Sequence, residues 1–345
     1  MRRVGNLWPS IVAFDNLLRA ARVAARGKRR SVAALRFLER LEPEVLALQR
    51  ELEAGSYRPG PTITFQILDP KARTIAVSPF RDRVVHHALV DPLEPIFERR
   101  MIADSYACRR GKGTHAALRR AQEFLRRYEY FLKLDVEHFF ETVSHDVALD
   151  TLARIIKDRN VLDLLEKIVR THIVPGHGGR AIPIGALTSQ WIANLVLDRL
   201  DHHVKEKLRT PAYLRYMDDF VLFAHGKARL SDARREVEDY LGDTLRLRLK
   251  EKATILAPAW QGLPFLGFRL YRGLVRVRPE NARRSRARIA HREGQFRRGE
   301  IDETQLAGAV RSVVAHLDHG TTRALRRRWF EPIEEGKRAR DSPGV

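Results

Sequence analysis

The stretch YLRYMDDFVLF, residues 213–223, decides the fold of this chain. Apolar and aromatic residues that favour strands flank two aspartates that favour a turn. The pattern therefore predicts a β-hairpin with both carboxylates, Asp218 and Asp219, at its tip. A solvated turn is the ordinary explanation of such a pair, so a catalytic interpretation requires a third carboxylate at another strand end.

A second stretch, YFLKLDVEHFF at residues 130–140, supplies that carboxylate. A strand pattern ends at Asp135, and the aromatic pair Phe139 and Phe140 follows. Carboxylates at strand ends are held rigidly enough to bind divalent cations, and their hard oxygens suit Mg²⁺. Nucleotidyl transfer uses two such cations to activate a 3′-hydroxyl and to neutralise a triphosphate. The backbone carbonyl of Val136 is a further candidate ligand.

The composition indicates a globular protein with a polyanionic partner. The 345 residues are 44% hydrophobic, and 64 Lys and Arg against 43 Asp and Glu give a formal net charge of +21. Such an excess is typical of nucleic-acid binding, although an arginine-rich proteome would also raise it. Cys108 is the only cysteine, which excludes an internal disulfide and fits a reducing compartment. The N-terminal residues do not resemble a signal peptide, and no apolar run reaches membrane-spanning length. We therefore expect a cytoplasmic protein without a membrane partner.

Helical periodicity predicts an N-terminal extension with one helix from Pro9 to about Gly27 and another from Val32 to Leu52. Strands at 62–68 and 74–77 then enclose a basic turn. That turn presents Lys71 and Arg73, which are suited to phosphate oxygens, although a solvated turn is the ordinary alternative.

Further along the chain, 81–98 reads as a helix that ends or kinks near Asp91, because Pro92 and Pro95 follow. The run Leu245–Leu249 alternates like a strand, and a hairpin is expected over 263–277. Helices are expected near 280–297, 303–317 and 321–330, and the residues from 334 onward look disordered.

Four segments together resemble the motifs of reverse transcriptases in order and spacing. They are Asp135–Phe140, Ile184–Gln190, Tyr216–Asp219 and Leu266–Gly267. The resemblance implies an α+β fold, a right-hand polymerase with fingers, an antiparallel-sheet palm and a small helical thumb. It implies these boundaries: 1–60 N-terminal helical extension, 61–125 fingers, 126–278 palm with interleaved fingers helices, 279–333 thumb and 334–345 disordered tail.

The subgroup that the chain most resembles is the reverse transcriptases of diversity-generating retroelements. The segments Asn6–Trp8, Arg81–Leu89 and His316–His319 are similar to that subgroup. It implies error-prone cDNA synthesis on a template RNA, with an RNA/DNA hybrid as product and an accessory variability determinant oligomer as partner. Defence-associated, retron-like and intron-like reverse transcriptases share much of the pattern, and a non-catalytic RNA-binding relic is a further alternative.

The resemblance also implies roles for single residues. Asp135 and Asp218 would be the principal ligands of two Mg²⁺, for which Mn²⁺ could substitute, with Asp219 auxiliary. Phe140 matches the aromatic gate that selects dNTP substrates over ribonucleotides. Lys252 is the candidate general acid for pyrophosphate, and Lys250 competes with it. The remaining substrate-side candidates are Lys71 and Arg73 at the triphosphate, Ile184 and Gly185 at the nascent base pair, Tyr216 and Met217 at the primer end, and the Leu266–Gly267 primer grip.

One residue departs from the common pattern of the family. Many reverse transcriptases carry glutamine before the glycine of the motif that corresponds to Ile184–Gln190, whereas Ile184 precedes Gly185 here. Replacing a polar contact beside the nascent base pair by an aliphatic one weakens geometric checking of that pair. We therefore expect Ile184, together with Arg73, to determine an error rate that is highest opposite template adenines.

Overall fold

The computed structural model describes residues 2–28, 31–68, 73–171 and 180–330. The chain divides into two compact units. The first contains Met1–Ala117 and Leu132–Leu256, and the second contains Leu118–Phe131 together with the chain from Ala257 onward. None of the described helices is both long and apolar enough to cross a membrane.

Four helices form the N-terminal part: α1 Trp8–Val12, α2 Phe14–Ala24, α3 Val32–Glu39 and α4 Leu41–Glu53. The sequence predicted two helices here, and each is interrupted once. Ala13 takes an extended conformation with ψ 135°, and Arg40 leaves the helical region with φ −116° and ψ 40°. The apolar periodicity continues across both breaks, so periodicity alone could not reveal them.

Helix α5, Phe80–Glu98, packs against α2 and continues through Pro92 and Pro95. The helix predicted over 81–98 is confirmed, and of the two outcomes predicted near Asp91 the end is wrong, while the kink stays a prediction. Pro92 has no N–H to bond the carbonyl of Ala88, and the Asn16 side chain of α2 donates to that carbonyl instead, at 2.9 Å. Asn16 is itself buried, so this bond satisfies both groups.

The predicted hairpin after the extension is confirmed as β1 Ile63–Ile67 and β2 Arg73–Val77, paired antiparallel with Ile67 opposite Arg73. Lys71 and the turn around it lie outside the described residues, as does the side chain of Arg73.

Most residues of a four-stranded sheet, in the order β4-β5-β3-β6, belong to the first unit. Its strands are β3 Tyr130–Asp135, β4 Tyr213–Tyr216, β5 Asp219–Ala224 and β6 Ile255–Pro258. Most side chains of β3, β4 and β5 are buried. The helices that follow α5 are α6 Thr114–Arg127, α7 Phe139–Thr142, α8 His145–Ala153, α9 Arg159–Thr171, α10 Leu187–His202 and α11 Lys227–Tyr240.

The segment after α11 differs from the prediction of a strand at 245–249. Leu241–Leu245 forms a π-helical turn, and Arg246 takes a left-handed conformation with φ 56°. Within this segment only Leu249 pairs in sheet fashion, as an antiparallel bridge with Val136. The alternation seen in the sequence arises because the side chains of Leu245, Leu247 and Leu249 are all buried, although the segment that carries them is a loop and not a strand.

The second unit carries most of α6, a three-stranded sheet and three further α-helices. The sheet consists of β7 Leu263–Phe265, β8 Phe268–Tyr271 and β9 Leu274–Val277, and the helices are α12 Pro279–Arg297, α13 Glu303–Leu317 and α14 Arg323–Phe330. The helices match their predictions. The predicted hairpin contains an additional turn at Leu266–Gly267, where both residues have positive φ.

The helices of the second unit share a small core of their own: Ile289, Val313 and Leu317, with Val277, Val310, Leu325 and Trp329 packed against it. The bounds of the five predicted segments remain predictions, and the tail expected to be disordered lies outside the described residues.

Candidate active site

The hairpin of β4 and β5 turns one residue earlier than the sequence predicted. Tyr216 pairs with Asp219, so the two-residue loop consists of Met217 and Asp218. Met217 has φ 56°, a left-handed conformation that is strained for a residue with a side chain. Asp218 therefore lies on the turn, while Asp219 is the first residue of β5. The two carboxylates thus differ in position and in surroundings.

A backbone hydrogen bond joins this turn to the end of β3. The amide of Val136 donates to the carbonyl of Asp218 at 3.2 Å. On its other side this segment pairs with 248–250, because Lys250 donates its amide to the Asp135 carbonyl at 2.8 Å. Val136 is buried between the two contacts. The structure therefore brings Asp135 and Asp218, more than 80 residues apart in sequence, to one place.

A fully buried ionic network of Arg215, Asp201 and Tyr213 supports the turn between β4 and β5. The guanidinium of Arg215 contacts the Asp201 carboxylate at 2.7 Å through Nε and at 2.6 Å through Nη2, and neither side chain is exposed. Tyr213 donates its hydroxyl to the same carboxylate at 2.6 Å. Burial lowers the pKa of Arg215, but the adjacent Asp201 charge more than offsets this and leaves that pKa above its ordinary value.

Arg215 also bonds the turn directly, and so connects the buried network to it. Its Nη1 donates to the carbonyl of Met217 at 3.2 Å and to the side-chain oxygen of Asn194 at 3.0 Å. The bond to Met217 falls on the strained residue immediately before Asp218. A charge-assisted bond at that point offsets part of the strain and fixes the direction in which the turn presents Asp218.

Asp219 has an internal counter-ion. The ammonium of Lys133 lies 2.9 Å from its carboxylate, and both side chains are largely buried. Burial raises the pKa of Asp219 to about 7, Lys133 opposes the rise, and the charges of Asp135 and Asp218 add to it. The three carboxylates are therefore close enough to repel one another. A bound cation would relieve that repulsion.

The donor set fits a magnesium ion held by two carboxylates rather than by a complete protein cage. Within the described ranges, no three His, Cys, Asp or Glu side chains are grouped so that they could hold a metal ion. Mg²⁺ is commonly bound by one or two carboxylates, with water and substrate phosphates completing its shell. Asp135 and Asp218 meet that requirement in residue type and position, while Asp219 is engaged with Lys133.

The two aromatic residues after Asp135 differ in burial. His138 takes a left-handed conformation with φ 44° and starts α7, after which Phe139 is buried and Phe140 is half-buried. The two rings meet edge to face with centroids 5.4 Å apart. Phe139 therefore belongs to the core, and the role of Phe140 at the substrate stays a prediction.

Backbone hydrogen bonds connect Phe140 to Ile182, and Ile184 to the β1–β2 hairpin. The amide of Ile182 donates to the carbonyl of Phe140 at 2.8 Å, and the amide of Ala76 donates to the carbonyl of Ile184 at 3.0 Å. Gly185 has φ 114°, and a Cβ there would lie 3.1 Å from the Ala76 carbonyl oxygen. Only glycine accommodates this approach without strain, so the hairpin can dock against Ile184.

Of the remaining candidates, Lys250 lies nearer to Asp135 than the sequence could indicate. Lys250 is half-buried, and its backbone amide bonds the carbonyl of Asp135, whereas Lys252 is exposed on a short 3₁₀ turn, Glu251–Ala253.

The candidates for the primer end and the primer grip each make one side-chain bond. The hydroxyl of Tyr216 accepts a bond from Thr114 at 3.2 Å. At the Leu266–Gly267 turn, Asn281 donates to the Gly267 carbonyl at 2.8 Å.

Sequence reasoning missed Lys133 and Arg215. Both are single charges within otherwise apolar strands, and Lys133 lies two residues before Asp135, which places it on the same strand face. A lone charge in a buried strand requires a partner, so this pattern was a usable signal.

Comparisons with known proteins point to one family. The reverse transcriptase (RNA-dependent DNA polymerase) family model matches residues 68–270. Protein YkfC of Escherichia coli is 28% identical over 68% of this chain and 72% of its own length. The group II intron-encoded protein LtrA of Lactococcus lactis is 20% identical over 80% of this chain and 55% of its own. Nuclear intron maturase 1 of Arabidopsis thaliana is 37% identical over 29% of this chain, which spans 15% of the maturase.

A solved structure extends the comparison to the fold. The apo telomerase of Candida tropicalis, truncated from its C-terminal domain, superposes with a TM-score of 0.50 at 11% identity, over 66% of this chain and 59% of the telomerase. The likeness confirms the predicted α+β fold of a right-hand polymerase. The family match covers more than half of the sequence and includes Asp135, Asp218 and Asp219. The chain belongs to the reverse transcriptase (RNA-dependent DNA polymerase) family.

Proposed function

We propose that this protein copies RNA into DNA by two-metal nucleotidyl transfer, and that it does so with low fidelity for a diversity-generating retroelement. The observation that supports the polymerase activity most strongly is the backbone bond between Val136 and Asp218, which joins two carboxylate-bearing segments at one point. A relic that only bound RNA would not need this arrangement.

In the proposed reaction the 3′-oxygen of the primer attacks the α-phosphorus of a dNTP. The bond from that phosphorus to the bridging oxygen breaks, and pyrophosphate leaves. Asp135 and Asp218, with the Val136 carbonyl, would hold two Mg²⁺, which lower the pKa of the attacking hydroxyl and neutralise phosphate charge when bound. Lys133 keeps Asp219 paired beside them. Lys252 or Lys250 would protonate the leaving pyrophosphate, and the position of Lys250 beside Asp135 favours Lys250.

Phe140 would exclude a 2′-hydroxyl from the sugar pocket. Its half-buried ring on the segment after Asp135, braced against Phe139, supports that role. Arg73 and Lys71 would hold the triphosphate, Tyr216 and Met217 would lie beside the primer end, and Gly185 would let the hairpin close on the nascent pair.

The proposal of low fidelity rests on the aliphatic side chain of Ile184. The amide of Ala76 bonds the backbone carbonyl of Ile184. Because the side chain of Ile184 is aliphatic, it would offer a nascent base pair only apolar contact. An apolar surface cannot reject a mispaired base through an unsatisfied hydrogen bond.

The proposed partners are a template RNA, the RNA/DNA hybrid, and an accessory variability determinant oligomer. The net charge of +21 supports binding to nucleic acid. Several relatives are intron-encoded proteins or intron maturases, so an intron-type reverse transcriptase is the competing function. The chain spans 55% of the length of LtrA and 15% of that of the maturase.

The test is to sequence the cDNA that the purified protein makes from template RNA, with the accessory protein supplied. Misincorporation concentrated at template adenines, and reduced by Ile184→Gln, is the expected result. Uniformly accurate cDNA would favour the intron-type alternative. An adenine error rate that Ile184→Gln leaves unchanged would remove Ile184 from the explanation.

A further inference from the structure

The three-stranded sheet of the second unit has one covered face and one open face, because side chains alternate along each strand. The covered face consists of residues that are at most 8% exposed: Leu263, Phe265, Phe268, Leu270 and Val275. Arg269 and Tyr271 of β8 and Arg276 of β9 lie on the other face, where both arginines are exposed and Tyr271 is half-buried. The register places Arg269 directly opposite Arg276. Two like charges in this position destabilise a sheet, so folding alone does not account for them.

An exposed tryptophan stands beside the open face. Trp260 is 73% exposed, on a short 3₁₀ turn that precedes β7. The backbone of this turn is fixed at one end by the Ala259 amide, which donates to the Glu129 carbonyl at 2.7 Å. At the other end, Arg269 donates to the Gln261 carbonyl at 3.4 Å. The indole ring therefore stands on an ordered backbone with most of its surface open to solvent.

Tyr271 connects the tryptophan turn to the arginines. Gly262 has φ 81°, and a Cβ at that position would lie 2.5 Å from Cε1 of Tyr271, so the tyrosine ring rests against the glycine backbone. The guanidinium of Arg276 lies 5.8 Å from the centre of the same ring. Trp260 and Tyr271 lie at the strand ends opposite the Leu266–Gly267 turn. Four residues share this surface, which we call the basic sheet face: Trp260, Arg269, Tyr271 and Arg276.

The arginines of the basic sheet face lack an acidic partner among the residues that the structure describes. There, no ion pair joins Arg269 or Arg276 to a carboxylate, whereas Arg278, just beyond β9, contacts Glu280 at 3.5 Å. Glu129, whose carbonyl holds the tryptophan turn, brings one exposed carboxylate to this region. Two guanidinium groups against it leave the face positive, and a polyanion bound across the arginine pair would relieve the repulsion between them.

The positive charge continues onto the end of α6. Arg272, on the turn between β8 and β9, donates to the carbonyls of Leu125 at 3.0 Å and Tyr128 at 3.3 Å. These acceptors are uncharged, so they do not neutralise Arg272. Arg126 and Arg127 at the end of α6 are exposed as well. The basic sheet face is thus the aromatic part of a longer basic surface within the second unit.

We infer that the basic sheet face binds a single-stranded stretch of the RNA that the protein copies. Unpaired bases present open ring faces that stack on an exposed indole, and guanidinium groups bind the phosphates between them. A duplex encloses its base faces, so it does not offer this contact. A protein partner is disfavoured, because the centre of a protein–protein interface is depleted of charge, whereas the turn of Trp260 is bonded by the guanidinium of Arg269.

This binding surface goes beyond the proposed function. The carboxylates of the candidate active site belong to the first compact unit, and the basic sheet face belongs to the second. The inference rests on the proposed function only in naming the bound RNA as the template. A protein that bound RNA without copying it would still use the face, so the two proposals can fail separately.

The test uses Trp260→Ala and the double variant Arg269→Gln with Arg276→Gln, each in the full chain. Trp260→Phe is the conservative variant, because it keeps an aromatic ring. The control for the loss of two positive charges is Arg154→Gln with Arg235→Gln, whose arginines lie in the first unit with side chains 63% and 75% exposed. Urea unfolding should give the same midpoint for Trp260→Ala as for wild type, because the indole is largely exposed.

Fluorescence anisotropy measures the Kd of three ligands: a single-stranded RNA of about 12 nucleotides, a blunt RNA/DNA duplex, and that duplex with an unpaired RNA extension. We expect Trp260→Ala to raise the Kd of the single strand at least about fivefold, which is the loss of one stacked base, and Trp260→Phe to restore most of it. The extended duplex should bind wild type more tightly than the blunt one, and Trp260→Ala should lose that gain.

Salt dependence tests the arginines. In the double arginine variant, the slope of log Kd against log salt concentration for the single strand should fall by about 1.4, the contribution of two phosphate contacts. The control pair of substitutions should leave that slope and the single-strand Kd unchanged. The Kd of the blunt duplex should stay the same in every variant.

A single-strand Kd that Trp260→Ala leaves unchanged, or a loss that the control pair reproduces, would overturn the inference. So would an equal loss for the blunt duplex, because the face would then bind paired nucleic acid. Unchanged RNA binding together with altered sedimentation of Trp260→Ala would assign the face to a protein contact instead. Failure of wild type to extend a primer would refute the polymerase function separately, while the Kd differences still decide whether the face binds single-stranded RNA.

Discussion

Replacing Asp201 by asparagine should destabilise the protein more than any exposed charge change. Asp201 is fully buried and accepts bonds from Arg215 Nε, Arg215 Nη2 and the Tyr213 hydroxyl at 2.7, 2.6 and 2.6 Å. The substitution Asp201→Asn would keep the side-chain volume but leave the Arg215 charge uncompensated. Removing one partner of a buried pair costs about 3–5 kcal/mol, a large share of the roughly 5–15 kcal/mol that stabilises a typical domain.

Urea unfolding measures this change as a shift in the transition midpoint at constant slope. The matched control is Glu166→Gln, which breaks the Arg170–Glu166 pair with both side chains 48% exposed. That pair should contribute less than about 1 kcal/mol. A destabilisation by Asp201→Asn that is no larger than the control's would refute the reasoning.

The apolar double variant Arg215→Met with Asp201→Leu separates stability from positioning. Replacing a buried pair by apolar residues of similar volume is often neutral, so the unfolding free energy should recover most of the loss. The bond from Arg215 to the Met217 carbonyl stays absent, however. We therefore expect kcat for primer extension to remain low in this variant. Recovery of kcat together with stability would show that Arg215 does not position the turn.

Three further predictions follow from single contacts. Gly185→Ala should destabilise the protein by about 1–3 kcal/mol in urea unfolding and raise the KM for dNTP. The reason is that a Cβ is strained at φ 114° and would lie too close to the Ala76 carbonyl oxygen. An unchanged unfolding midpoint would contradict the docking of the β1–β2 hairpin against Ile184. Phe140→Ala should lower the preference for dNTP over ribonucleotides about tenfold or more in competition assays, whereas Phe139→Leu should affect stability instead. Burial, with a smaller contribution from His87, lowers the pKa of His86 to about 4. The unfolded chain, with a histidine pKa of about 6.5, takes up the extra proton first, so stability is full above about pH 6.5 and falls by about 2 kcal/mol at about pH 5. His86→Gln should remove that part of the acid sensitivity in urea unfolding, and an unchanged pH dependence would argue against it.

The sequence predicted the elements that carry the candidate site well, because their signals are local. Strand formers around Asp218, an aspartate at the end of β3 and helical periodicity in α12, α13 and α14 each depend on neighbours in the chain. The turn was misplaced by one residue, because Met217 adopts a strained conformation that the residue type disfavours. The bond from Arg215 makes that position favourable, and such a bond is not visible locally.

The features that the sequence did not reveal depend on contacts between distant residues. Asn16 on α2 satisfies the carbonyl that Pro92 leaves unbonded, and this lets α5 continue where an end or a kink was expected. Lys133 pairs with Asp219 across two strands, more than 80 residues apart in sequence. Such tertiary partners override local propensity, which is why boundaries and counter-ions were harder to predict than the elements themselves.

The most direct test of the proposed activity is magnesium-dependent extension of a DNA primer on an RNA template by the purified protein and by Asp218→Asn. Circular dichroism and urea unfolding check that the variant is folded. We expect it to fold, because Asp218 lies on a turn and is only half-buried. We expect wild type to extend the primer and the folded variant to lose at least about a thousandfold in kcat. Extension by Asp218→Asn at the wild-type rate would contradict the account.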